Sequence, residues 1–245
     1  MPHFFINSSE IQNDFIQIKD KENYTHIAKS LRIKVGEKIL LIDEKKIQYE
    51  GNVENITSST VDIKINNSYK STRYLQFKLY LAQSPLRSDA QSLIIEKATE
   101  LGVDGVYPVF TDNCVLKKSI IYQKIPKWQK IMAESSKQCE RAYVPKCFEL
   151  STVEKLLSEN KFDRIFAFTE RNAKFKLKDY LNANPILKDE KILVIIGPEG
   201  GFSQKEFDFF NNNDKITTLS LGELILRAET AVITALGCIV LLKQL

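Results

Sequence analysis

The stretch Ile192-Leu193-Val194-Ile195-Ile196-Gly197-Pro198-Glu199-Gly200-Gly201-Phe202-Ser203 decides how this chain is read. Five consecutive aliphatic residues bounded by turn residues have the length and composition of a strand buried on both faces. The glycine loop follows without a break, and Ser203 with Glu206 makes the capping-box pattern that opens a helix. Strand, glycine loop and helix in succession are the unit of a parallel α/β sheet. Glycines also let a backbone approach a ligand with no Cβ in the way, which suits main-chain recognition of a nucleoside-like cofactor. By itself the loop also reads as a tight turn entering a helix, and its spacing matches neither the dinucleotide nor the P-loop fingerprint.

Working outward, residues 77–82 read as a buried strand, and 88–101 as a helix with Ile94, Ala98 and Leu101 on one face, ended by Gly102. Residues 106–110 and 164–169 read as strands and 127–142 as a helix, so strands alternate with helices. Downstream, Leu219-Ser220-Leu221-Gly222 leads through Leu224-Ile225-Leu226-Arg227 to Glu229-Thr230-Ala231 at the head of the last helix. Glu229 suits the positive end of that helix, while Arg227 and Thr230 read equally as surface or capping groups. The two glycine-bearing loops each lead into a helix, and both are expected at the carboxyl edge of one sheet, where open α/β folds bind ligands. The last helix, 231–242, is apolar nearly all round and must be buried, in part against a second subunit.

Upstream the pattern differs. Short alternating or apolar runs between residues 3 and 65, such as 38–42 and 61–65, read as a small β-rich domain. One short helix over 24–32, with Ile27 and Leu31 four apart, interrupts them. The polar stretch 66–72 is unpatterned and marks the boundary, giving domains 1–72 and 73–245.

The 245 residues are 43% hydrophobic and 27% charged, the composition of a folded globular protein. The apolar run at 231–242 is shorter than the roughly 18 residues a membrane span needs, and no leader pattern opens the chain, so a cytoplasmic protein is expected. Cys114, Cys139, Cys147 and Cys238 have no paired spacing, and His3 and His26 both lie near the N-terminus, which argues against a zinc hydrolase; no metal is expected. The net charge of +4 is uneven: residues 1–72 are neutral, 73–146 hold 12 basic against 7 acidic residues, and 147–245 hold 13 against 14. Lys117, Lys118, Lys124, Lys127, Lys130, Lys137, Arg141 and Lys146 make the middle third a field suited to phosphates, or else a solvated helix face.

The pairing of Gly197-Pro198-Glu199-Gly200-Gly201 with Leu221-Gly222, Ile225-Leu226-Arg227 and Glu229-Thr230-Ala231 resembles the RsmE family, 16S ribosomal RNA uridine-N3 methyltransferases of the SPOUT superfamily. His26 with Leu31-Arg32 and Gly36, the helix 96–103, and Trp128, Glu134, Gln138, Arg141 and Pro145 extend the likeness over nearly the whole chain. The resemblance implies a PUA-like β-barrel followed by a dimerising, trefoil-knotted α/β domain. It further implies that Phe168, Thr169 and Glu170, the loop Gly197, Pro198, Glu199, Gly200 and Gly201, and the segment with Leu219, Leu221, Gly222, Ile225 and Leu226 enclose S-adenosylmethionine. The family usually has Arg before Ile-Leu-Arg; here Leu224 stands there, preceded by Glu223.

Methyl transfer from a sulfonium needs an aligned nucleophile, so positioning supplies most of the acceleration. Uridine N3 carries a proton, and the site must remove it or stabilise the anion. Arg227 is the candidate anion stabiliser, and Glu229 the candidate to orient it or take the proton. Arg32, Lys137 and Arg141 are candidates for phosphate contact with 16S RNA or the small ribosomal subunit. Two rival readings are a non-catalytic RNA-binding protein and an α/β enzyme acting on a nucleotide, with 197–201 as an anion loop.

Overall fold

The computed structural model describes residues 3–170 and 173–244, with the side chains of 88, 243 and 244 left out. The chain forms two compact units, residues 1–74 with 136–144, and residues 75–135 with 145–245.

The first unit carries β1 (His3–Phe5), β2 (Ile11–Gln12), β3 (Phe15–Ile18), helix α1 (Lys21–Tyr24), β4 (Lys38–Ile42), β5 (Ile47–Ile56) and β6 (Val61–Lys70). They make one sheet in the order β1-β4-β5-β6-β3-β2. Alternate residues of these strands, among them Phe4, Ile16, Ile39, Leu41, Val53 and Ile63, form the unit's core. The helix begins three residues before the expected position because Asp20 caps it, accepting from Asn23 N at 2.8 Å. It widens into a π-helical turn over Thr25–Ser30 and stops at Arg32, whose φ is +52°. The stretch 66–72 is no boundary loop: β6 runs through to Lys70, paired with Ile47. Its residues Asn66, Asn67, Ser68 and Lys70 are exposed, so backbone pairing rather than alternation makes this part of the strand.

The second unit carries β7 (Lys78–Gln83), α2 (Ser88–Glu100), β8 (Gly105–Pro108), α3 (Lys118–Gln138), β9 (Lys146–Cys147), α4 (Val153–Ser158) and β10 (Arg164–Phe168). It continues with β11 (Phe175–Lys176), α5 (Leu177–Ala183), β12 (Lys191–Ile196), α6 (Gln204–Asn211), β13 (Ile216–Ser220) and α7 (Ala228–Gln244). The strand order is β11-β13-β10-β12-β7-β8-β9, every pairing parallel. Leu193 and Ile195 of β12 face a core shared with α4 and α6 through Leu156, Leu157, Phe202 and Phe210. Ile192, Val194 and Ile196 point the other way, where α7 packs against β12, α2 and α5. Each such buried side chain contributes about 1.5–3 kcal/mol, so strand positions are set by the core and only the loops by local contacts.

Two helices differ from expectation. The helix α3 begins nine residues early and runs through Pro126, a residue whose usual place in the first turn disguises the true start. It ends at Gln138, before Glu140 at φ +55°, and its last residues pack with the first unit, where Ala142 N donates to Arg73 O at 3.2 Å. The helix α7 buries Val232, Ala235, Leu236 and Ile239, but Leu241 is 60% exposed, so this chain covers only one side of an apolar helix.

His3 is the least satisfied polar residue of the first unit. It is 4% exposed, and neither ring nitrogen has a hydrogen-bond partner among the described residues. Burial, and secondarily Arg73, lower its pKa from 6.5 to about 4. The unfolded chain therefore takes up a proton near pH 6.5 that the folded chain refuses until about pH 4. Stability is fully present above pH 6.5 and falls through that window by up to about 1.4 kcal/mol per pH unit. In urea denaturation between pH 7 and 4, His3→Leu is expected to flatten this slope; identical slopes for both proteins would refute the assignment.

Candidate active site

Three adjacent parallel strands, β13, β10 and β12, deliver their carboxyl ends to the same edge of the sheet. The segments that leave them border one cavity of about 550 Å³, within the range of small-molecule sites. From β10 come Phe168, Thr169 and Glu170; from β12 come Gly197, Pro198, Glu199 and Gly201. From β13 come Leu219, Leu221, Gly222, Ile225 and Leu226, followed by Arg227 and Glu229. Of the residues that sequence placed around a cofactor, Gly200 alone is not part of the wall. The cavity also has Ala90, Phe202, Phe207 and Ala231 on its border, which sequence reading did not select.

The glycine loop is held by local chemistry. Gly201, at φ +66°, donates its N–H to Pro198 O at 2.9 Å and closes a turn that a side chain would strain. Ser203 caps α6 as its sequence indicates: its Oγ accepts from Glu206 N at 3.2 Å, and Ser203 N donates to Glu206 Oε2 at 2.8 Å. Such a cap contributes about 1 kcal/mol. A second set of contacts comes from the loop after β8. Ser203 Oγ donates to Asp112 Oδ2 at 2.6 Å, Asp112 N donates to Glu206 Oε1 at 3.1 Å, and Asn113 Nδ2 donates to Gly200 O and Gly201 O at 3.2 and 3.1 Å. Asp112 and Asn113 escaped the sequence reading. Their only signal is a polar turn after a strand, and the sheet order, two strands away from β12, is what brings them here.

The other loop is more open. Gly222 has φ +137°, and Leu224 and Ile225 are 82% and 59% exposed at the cavity rim. Glu223, next to the position where Leu224 replaces the expected Arg, forms an ion pair with Lys176 of β11 at 2.8 Å. Arg227 is exposed and immediately precedes α7, where its carbonyl accepts from Ala231 N at 2.8 Å. Glu229 lies in the first helical turn, where the helix dipole favours a carboxylate. No ion pair joins Arg227 to Glu229 among the described residues.

Among the described residues, Glu170, Glu199 and Glu229 with Arg227 are the charged residues at the border, an excess of carboxylate that favours a cationic ligand. Thr169 adds an unusual feature: it is 4% exposed, its N–H donates to Leu219 O at 3.1 Å, and its Oγ1 is buried without a hydrogen-bond partner among the described residues. No group of three or more His, Cys, Asp or Glu side chains among the described residues is placed to hold a metal ion. No helix among them is long and apolar enough to cross a membrane.

Arg32, Lys137 and Arg141 fall together in the first unit, away from the cavity's residues in the chain. Arg32 is exposed. Lys137 is turned to Glu22 at 3.1 Å with its side chain 13% exposed, and Arg141 is 6% exposed with its guanidinium 5.0 Å from the Tyr143 ring. Of the three, Arg32 presents its charge outward.

Comparison with known proteins places this geometry. A family model described as an RNA methyltransferase domain matches residues 73–240, and one described as an RNA methyltransferase PUA domain matches residues 18–66. The chain is 30% identical to ribosomal RNA small subunit methyltransferase E of Mesomycoplasma hyopneumoniae, over 95% of this chain and 96% of the relative. It is 26% identical to the protein of that name from Rickettsia conorii, over 97% and 94%. A methyltransferase from Legionella pneumophila, solved in complex with the bound cofactor SAM, superposes with a TM-score of 0.83 at 25% identity, over 97% and 96%. Fold and matches together define the class, an RNA methyltransferase domain joined to a PUA domain. Within that class, the chain belongs to the ribosomal RNA small subunit methyltransferase E family.

A buried hydroxyl with no partner costs stability that an isosteric methyl does not. Thr169→Val is therefore expected to stabilise the ligand-free protein by about 1 kcal/mol in thermal denaturation; a destabilisation of that size would show that the hydroxyl is already satisfied.

Proposed function

We propose that this protein methylates N3 of a uridine in 16S ribosomal RNA, with S-adenosylmethionine held in the cavity at the ends of β10, β12 and β13. The observation that carries the reading is the convergence of two glycine-bearing turns and a third strand end on one cavity of nucleoside size. The residues fit the donor on two counts: the carboxylates at the border suit its net positive charge, and the Thr169 hydroxyl is available for a polar contact. When bound, S-adenosylmethionine supplies an electrophilic methyl group on a sulfonium.

The chain's own residues then have separable tasks. The loop 197–201 and the segment 219–226 hold the donor by shape and main-chain groups, with Phe168 and Leu219 as a dry floor. Arg227, exposed at the rim, stabilises the negative charge that develops on the uracil ring as the N3 proton leaves. Glu229, two residues on, orients Arg227 or receives that proton. The first unit holds the RNA, with Arg32 as a phosphate contact, and Lys137 and Arg141 join it by turning from their internal partners. The second unit carries the transfer chemistry, its chain threaded as a trefoil knot of the SPOUT type. The exposed side of α7 is covered by a second copy of the chain, making a homodimer, and the protein works in the cytoplasm on 16S RNA or the small subunit.

Calorimetric titration with S-adenosylmethionine, paired with methyl transfer to 16S RNA, tests the assignment. Arg227→Ala is expected to keep donor affinity within about threefold and to lower transfer by about 10²–10³-fold, the cost of losing one preorganised charge stabiliser. Equal loss of affinity and transfer would move Arg227 into the donor site and defeat its assigned role.

The RNA face is tested by salt dependence. Arg32→Glu is expected to weaken 16S RNA binding and to lower the slope of log K against log salt by about 1, as loss of one phosphate contact does. An unchanged slope would place the face elsewhere.

A further inference from the structure

We propose that Asn113, on the loop leaving β8, is a positioning residue for the donor site, holding the glycine loop in its binding form from behind. The proposal rests on the reading of the cavity as an S-adenosylmethionine site. Asn113 does not border the cavity, so it acts through the loop and not on a ligand.

The geometry is specific. One amide group, Nδ2, donates to two consecutive carbonyls, Gly200 O at 3.2 Å and Gly201 O at 3.1 Å. Both partners only accept, so the amide must present its NH₂ end, and a residue lacking two donors on one atom cannot make the bridge. Gly200 is the one glycine-loop residue absent from the cavity wall, and a Cβ there would lie 3.3 Å from Asn113 Cβ. Gly197, Pro198, Glu199 and Gly201 thus face the cavity while Gly200 leans on Asn113.

A loop with two adjacent glycines has more backbone freedom than any other pair of residues, and ligand binding must remove it unless the fold already has. Two ties fix the loop's far end, the Ser203 cap and the bond from Ser203 Oγ to Asp112 Oδ2 at 2.6 Å. The turn bond from Gly201 N to Pro198 O at 2.9 Å closes its middle. Among the described residues, only Asn113 grips the Gly200–Gly201 carbonyls through a side chain, and it does so from the loop of a different strand, which makes the loop's shape a property of the sheet.

Asn113→Asp keeps the shape of the side chain but sets an acceptor against two carbonyl oxygens. In calorimetric titration with S-adenosylmethionine it is expected to raise Kd tenfold or more, and KM for the donor in parallel. At saturating donor, kcat for 16S RNA should stay within threefold of the parent, a split that a general loss of structure would not produce. Gly200→Ala crowds the same contact from the loop side and is expected to raise Kd at least threefold, which keeps the test decisive if Asn113→Asp does not fold. A parent protein that binds the donor while the folded variants bind it within twofold of the parent overturns the role of Asn113 alone. A parent protein that does not bind the donor overturns the donor-site reading and this proposal with it.

Discussion

The site depends on the parallel register of three strands. Ile165 of β10 lies opposite Leu193 of β12 on one side and Ile216 of β13 on the other, and Ala167 lies opposite Ile195 and Thr218. With those pairs fixed, Thr169, Gly197 and Ser220 must emerge together. A slip of one residue in β12 would turn Leu193 and Ile195 from the core shared with Phe202 and Phe210 to the opposite face, so the apolar pattern enforces the alignment. The cavity is in this sense a by-product of core packing: burial of aliphatic side chains fixes where the strands end, and the ends define the walls.

What the core cannot specify is the conformation of the loops, and there the structure uses polar ties. The glycine loop is fastened by a turn bond, a helix cap and two side chains from the loop after β8. The second loop is tied mainly by the exposed ion pair between Glu223 and Lys176, an interaction that water and salt weaken. Among the described residues, one wall of the cavity is thus fastened by several polar ties and the other by an exposed ion pair. That division suits the proposed reaction, in which the first wall holds the donor and RNA enters past the exposed Leu224, Ile225 and Arg227.

Much of this arrangement was legible in the residues. The run 192–196 read as a strand because five aliphatics in a row serve a sheet covered on both sides, and Ser203 with Glu206 announced the helix after it. Both glycine turns, which border one cavity, are legible because glycine at a strand end has a local meaning. Asp112 and Asn113 are not legible in the sequence because their partners are about 90 residues away and only the sheet order brings them close. The start of α3 was hidden by Pro126, and the outer half of β6 by polar residues that backbone pairing holds extended. Arg141 reads as a phosphate contact by its charge, yet it is buried against Tyr143, a contact made by a segment that sequence assigns to the other domain.

Hydrogen–deuterium exchange with and without S-adenosylmethionine tests the central claim most directly, because it reads each wall separately. If the three strand ends form one donor site, amides at 169–170, 199–201 and 221–227 gain protection together on addition of the donor. Protection confined to one of these segments, or found only elsewhere in the chain, would contradict the account.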